Sequence, residues 1–130
     1  MRAVLLATLA SIATTLPGCT GAGPTRASVP TGQPIAMSPG QQVALPDGAR
    51  LRYVEVADDS RCRPGVQCIW AGDAKVVFEF SGMPAQAPRR VTVNTAPPAT
   101  ASIGNWQLQM LDLAFGQAPQ ATVQIDPAAR

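Results

Sequence analysis

The chain has 130 residues, no histidine, and a formal net charge of +2 from 10 basic and 8 acidic side chains. This length suits a single domain and excludes a large two-lobed enzyme. Charges of both signs are dispersed without runs, so neither a phosphate-tracking groove nor a nucleic-acid partner is expected. Without histidine, the Ser-His and Cys-His nucleophile pairs are impossible, as is any zinc site that uses imidazole.

The N-terminus carries the pattern of an export signal. One arginine precedes an apolar stretch over residues 3–16, which is too short for a permanent transmembrane helix. The stretch ends in Leu-Pro-Gly-Cys at 16–19, which resembles the lipobox of bacterial lipoproteins, and the resemblance implies that Cys19 is acylated. Lipidation predicts a membrane anchor in the bacterial cell envelope. The alternative is an ordinary secretory signal cleaved nearby, for example after Ala27, which would yield a soluble secreted protein.

The cysteine count favours lipidation of Cys19. Three cysteines leave one unpaired, and a free thiol is a liability in an oxidising compartment. If Cys19 carries lipid, Cys62 and Cys68 remain as an even pair for a disulfide. The residues after Cys19 are rich in Gly, Pro, Ser and Thr and show no periodicity. We therefore expect an export signal at 1–18, a flexible tether at 19–40 and a β domain at 41–130.

Five segments of that domain show the two-residue periodicity of β-strands, beginning near residues 49, 74, 89, 105 and 121. The alternation is cleanest over 74–80, where apolar side chains oppose Lys75 and Glu79. In the fourth segment Trp106, Leu108 and Met110 share one face, and the apolar positions then shift to 111, 113 and 115. This shift predicts either a β-bulge or a strand that turns a corner between two sheets. The sequence thus predicts an all-β fold, a small antiparallel sandwich or barrel of five to six short strands with one disulfide-closed loop.

Residues 58–72 read Asp-Asp-Ser-Arg-Cys-Arg-Pro-Gly-Val-Gln-Cys-Ile-Trp-Ala-Gly and hold both remaining cysteines. Because a small domain gains limited stability from its core, a Cys62–Cys68 disulfide is a useful contribution of about 2 kcal/mol. Pro64 and Gly65 suit the chain reversal that the ring requires. On an extended chain Trp70 lies on the same face as Cys68, where its ring can cover the disulfide. We therefore expect a structural disulfide beneath a buried tryptophan, with the charged side chains of the segment dispensable for folding.

The same segment resembles a motif of small exported bacterial proteins, many of them lipoproteins, whose function is uncharacterised. The matching residues are Asp59, Ser60, Arg61 and Cys62, then Pro64 and Gly65 within the five-residue gap, then Cys68, Trp70, Ala71 and Gly72. The resemblance implies export and a β-rich domain, and it implies no activity.

Two functions from different classes remain open. The first is a lipid-anchored envelope domain that serves as a binding or structural module, with an unknown envelope protein or a small ligand as partner and no cofactor. The second is a protease-inhibitor-like module whose Cys62–Cys68 loop offers Arg61 or Arg63 to a protease cleft, because a closed ring lowers the entropy cost of binding.

An enzyme ranks third, and no catalytic or metal-binding residue is predicted. Lys75, the only lysine, faces outward on a predicted strand and is unsuited to a Ser-Lys pair. Asp58, Asp59, Ser60 and Asp73 flank the loop, but their spacing matches no calcium loop with ligands at fixed intervals, so calcium remains only an open alternative. Five residues between the cysteines also favour a structural bridge over a redox pair.

Overall fold

The computed structural model describes residues 18, 28–82 and 87–129, so Cys19 and residues 1–17 of the expected signal lie outside the described residues. The described ranges form eight β-strands and no helix, which confirms the all-β prediction. The strands are β1 Pro34–Met37, β2 Gln42–Ala44, β3 Arg50–Asp59, β4 Ala74–Ser81, β5 Arg89–Asn94, β6 Thr100–Ile103, β7 Trp106–Leu113 and β8 Ala121–Pro127. Among these residues no helix is long and apolar enough to span a bilayer.

The strands form two four-stranded antiparallel sheets, in the orders β1-β8-β7-β6 and β2-β3-β4-β5. Apolar side chains of both sheets join one core cluster, as expected when two sheets pack face to face. Within this cluster the ring centres of Tyr53 and Phe78 lie 5.4 Å apart. The Tyr53 hydroxyl donates a 2.8 Å hydrogen bond to the Pro119 carbonyl, and burial raises the pKa of that hydroxyl. The architecture is therefore sandwich-like, with its one buried phenol satisfied.

Strand β7 contains the β-bulge, the first of the two predicted alternatives. Trp106, Leu108 and Met110 are buried, and the register with β8 shifts between Met110 and Asp112. Burial resumes at Leu113, which confirms the bulge. The expectation that residues 111 and 115 share the second apolar face is wrong, because both side chains are 43% exposed.

The structure has eight strands, more than the five to six that the sequence predicts, and β1, β2 and β6 are the additional ones. These three strands have only three or four residues each, too few to display a period of two. Strand β1 lies inside the stretch assigned to the tether, yet it pairs with β8, and its Met37 is fully buried. The expected domain start at residue 41 is therefore too late, since Val29 already donates a 2.9 Å hydrogen bond to the Ala44 carbonyl.

The sandwich has two distinct ends. Strand β3 contains ten residues, which corresponds to a rise of about 33 Å. Val29 bonds to Ala44, which pairs with Arg50 at the start of β3. The 60–73 connection follows the other end of β3, at Asp59. The N-terminal side of the described domain and this connection thus lie at opposite ends.

Candidate functional site

The predicted motif forms the connection from β3 to β4, which we call the hairpin loop (residues 60–73). Its base continues the strand ladder, because the Ser60 N–H donates to the Asp73 carbonyl (2.8 Å) and the Cys62 N–H to the Ala71 carbonyl (3.2 Å). The Ser60 hydroxyl also donates to the Asp73 carbonyl and accepts from the Asp73 N–H, at 3.0 and 3.1 Å. The two strands of the hairpin are therefore joined beyond the limits of the sheet.

A disulfide and a glycine fix the base further. Cys62 and Cys68 are bonded, with their Cα atoms 5.9 Å apart, which confirms the predicted disulfide. Gly72 has a φ of +70°, and a Cβ at this position would overlap the Ser60 carbonyl. Glycine is consequently required at position 72 both for its backbone conformation and for the close approach of the two chains.

The ring between the cysteines is closed by a tight turn. The Val66 N–H donates a 3.1 Å hydrogen bond to the Arg63 carbonyl, and Gly65 has a φ of +81°. Proline at the second turn position and glycine at the third are the preferences of a type II turn. The chain reversal predicted for Pro64 and Gly65 is therefore confirmed.

Arg61 connects the hairpin loop to the other sheet. Its Nε and Nη2 donate to the two oxygens of the Asp59 carboxylate, at 2.9 and 2.8 Å. Its Nη1 and Nη2 also donate to the carbonyls of Leu113 and Ala114, where β7 ends. The guanidinium carbon lies 4.1 Å from the ring centre of Phe115. Because a guanidinium presents its donors in a fixed planar array, these contacts fix the loop relative to the second sheet.

The carboxylates at the base have internal partners. The side-chain hydrogen bond from Arg61 holds the pKa of Asp59 below its ordinary value and raises the pKa of Arg61. Asp73 accepts from the Ala96 N–H (2.8 Å) and the Thr95 hydroxyl (3.0 Å). Burial alone raises the pKa of Asp73, but the hydrogen bonds outweigh it and the net effect lowers that pKa. Across the described ranges, no three acidic, cysteine or histidine side chains are placed to hold a metal ion.

The apolar side chains of the loop face solvent. Val66 is 59% exposed, Ile69 94% and Trp70 71%. The expectation that Trp70 is buried over the disulfide is therefore wrong. The alternation on which it rested assumes an extended chain, whereas the backbone bends at residues 69 and 70 before pairing resumes at Ala71.

The two arginines of the motif have different environments. The Arg61 side chain is only 12% exposed and is held within the fold, while Arg63 is exposed at the turn. A depression of about 560 Å³ lies beside Arg63, between Pro64 and Phe115. The contacts of Arg61 argue against the expectation that all charged side chains of the segment are dispensable for folding. No local sequence pattern predicts the role of Arg61, because its carbonyl partners lie 52 and 53 residues further along the chain.

The fold and the loop together define a class: a small, sandwich-like all-β domain that holds a disulfide-closed hairpin loop at one end. Comparison of the chain with protein families, with curated proteins and with solved structures finds no match. The function must therefore be argued from the loop itself.

Proposed function

We propose that the protein is an exported, lipid-anchored domain of the bacterial cell envelope that acts as a binding module through its hairpin loop. The observation that carries the proposal is the exposure of Ile69 (94%) and Trp70 (71%) on a loop whose base is fixed by many contacts. Large apolar side chains gain free energy when they leave water, and grouped exposed ones mark interaction sites. The proposal requires neither a catalytic residue nor a cofactor.

The layout of the domain suits an N-terminal anchor. Val29 lies at the end of the sandwich opposite the hairpin loop. An acylated Cys19 would therefore hold the Val29 end of the sandwich near the membrane and leave the hairpin loop directed away from the membrane. The Cys62–Cys68 disulfide also supports export, since disulfides persist mainly in oxidising compartments.

The alternative of a protease inhibitor has weaker support. Arg61, one of the two candidate arginines, uses its guanidinium in contacts within the domain. Arg63 is exposed, but its carbonyl accepts the turn hydrogen bond from Val66 and its peptide bond leads into Pro64. A tight turn does not present the extended backbone that a protease cleft binds, so we expect no inhibition of arginine-specific proteases.

Radiolabelled palmitate and membrane fractionation test the anchor. The full-length chain should incorporate label, fractionate with membranes and begin at Cys19 by intact mass, while Cys19→Ser should lose the label. A variant with both Cys62→Ala and Cys68→Ala is the matched control, because it removes thiols but keeps the lipidation site and should still be labelled. An unlabelled soluble chain that begins near Ser28 would contradict the proposal.

A further inference from the structure

We infer that the tip of the hairpin loop, residues 63–70, inserts into an apolar pocket with an acidic rim on a second protein of the envelope. The inference rests on the proposed function and adds the chemistry of the partner. Its support comes from the composition, the rigidity and the position of the tip.

The composition defines what the partner must offer. Val66, Ile69 and Trp70 are more than half exposed and need an apolar counterpart. Arg63 is the only charged residue between Cys62 and Gly72, and it is exposed. Tryptophan and arginine are the residues that most often dominate interface energies, and a lone cation is complemented by carboxylates. An apolar pocket bordered by Asp or Glu side chains matches this set.

The rigidity of the loop favours a shaped protein surface over a lipid bilayer. The disulfide and the Arg63–Val66 turn constrain the backbone within the tip, and the paired base constrains it on both sides. A preorganised loop loses little conformational entropy when it enters a pocket of fixed shape. A bilayer surface has no fixed shape, so a loop of fixed geometry gains no shape complementarity there. The tip also lies at the end opposite the proposed anchor, directed away from the membrane that the anchor occupies.

The charge of the tip disfavours a second copy of the chain as partner. Most homodimers have twofold symmetry, so two tips that meet on the axis contact each other with the same residues. Such a contact would bring Arg63 of one copy toward Arg63 of the other, and like charges in an interface are strongly unfavourable. A different protein with carboxylates at the rim avoids this repulsion.

Site-specific photo-crosslinking in cells of the source organism tests the inference on the full-length chain. A photoreactive phenylalanine analogue replaces the exposed Gln67 in the loop or, as the matched control, the exposed Gln109 on β7. We expect a discrete adduct with another protein from position 67 and none from position 109. Trp70→Ala and Arg63→Glu should each lower the adduct yield about tenfold, whereas Arg63→Lys should keep it within about threefold.

Several results would overturn the inference: adducts with lipid, an adduct of two copies of this chain, no adduct at all, or an adduct insensitive to Trp70→Ala and Arg63→Glu. Thermal unfolding of each variant verifies that the domain is folded. Fractionation of the same cells separates the two proposals. If the chain is membrane-bound and labelled but its adduct is with lipid, the proposed anchor stands and only the proposed protein partner is refuted. An unlabelled soluble chain overturns the anchor instead.

Discussion

The two tryptophans occupy opposite environments at opposite ends of the domain. Trp106 is 7% exposed at the start of β7, and its indole N–H donates a 2.8 Å hydrogen bond to Asp47. Trp70 is 71% exposed at the tip of the hairpin loop. The difference shows that the sandwich is stabilised by apolar burial, whereas the loop is fixed by a disulfide and polar contacts. Because the loop does not depend on its apolar side chains for structure, they are free to contact a partner.

The largest expected contrast in stability is between truncation of Trp106 and truncation of Trp70. Trp106→Ala removes a buried ring and its hydrogen bond to Asp47, so it should lower the free energy of unfolding by about 3 to 5 kcal/mol. Trp70→Ala should change it by less than about 0.5 kcal/mol, as is usual for exposed side chains. Urea unfolding followed by circular dichroism measures both values. Equal losses would mean that the two environments are not distinct.

The two glycines of the hairpin loop provide the second contrast. Gly65 and Gly72 both have positive φ, but only at Gly72 does a Cβ meet backbone atoms. Gly65→Ala should cost about 1 to 2 kcal/mol from the left-handed backbone alone. Gly72→Ala should cost about 3 kcal/mol, because steric overlap with Ser60 adds to the same term. A smaller loss for Gly72→Ala than for Gly65→Ala, measured by urea unfolding, would show that the base of the loop is not tightly paired.

The two arginines provide the third contrast. Arg61→Ala should destabilise the domain by about 2 kcal/mol, because it removes hydrogen bonds from a charged donor to Asp59 and to the end of β7. Arg61→Lys should still lose part of this stability, since an ammonium cannot reproduce the bidentate geometry. Arg63→Ala should change stability by less than about 0.5 kcal/mol. Thermal unfolding of the three variants checks the order, and an Arg63→Ala loss as large as that of Arg61→Ala would contradict it.

A smaller effect is expected on acidification. The pKa values of Asp59 and Asp73 are lowered in the folded protein. A carboxyl with a lowered folded pKa stabilises the fold above its unfolded pKa of about 3.9, and this contribution is lost as the pH falls through the folded value. Stability should therefore decline below about pH 4, and less steeply in a variant with Asp59→Asn and Asp73→Asn. Asp58→Asn controls for the loss of a negative charge in the same region, and an equal slope in all three proteins would contradict the prediction.

The sequence predicts the parts of the structure in which neighbouring residues carry the signal. The alternation in β4 and β8 gives their core faces, and the cysteine spacing gives the disulfide. Strands β1, β2 and β6 are too short for a period to appear. Strand β1 also depends on the distant β8 for its pairing, whereas β2 and β6 pair with the strands that directly follow them. The role of Arg61 likewise depends on β7, and the exposure of Trp70 depends on a bend that the pattern of side chains does not encode.

The most direct test of the loop's role is the solvent accessibility of Trp70 in the folded, monomeric protein. Trp106→Phe leaves Trp70 as the only tryptophan, and Trp70→Phe leaves the buried Trp106 alone as the matched standard. Acrylamide should quench Trp70 nearly as efficiently as free indole in water, with red-shifted emission, while Trp106 should emit at shorter wavelength and resist quenching. If Trp70 instead emits at short wavelength and acrylamide fails to quench it, the tip of the loop is not exposed. That result would also contradict the proposed binding role of the hairpin loop.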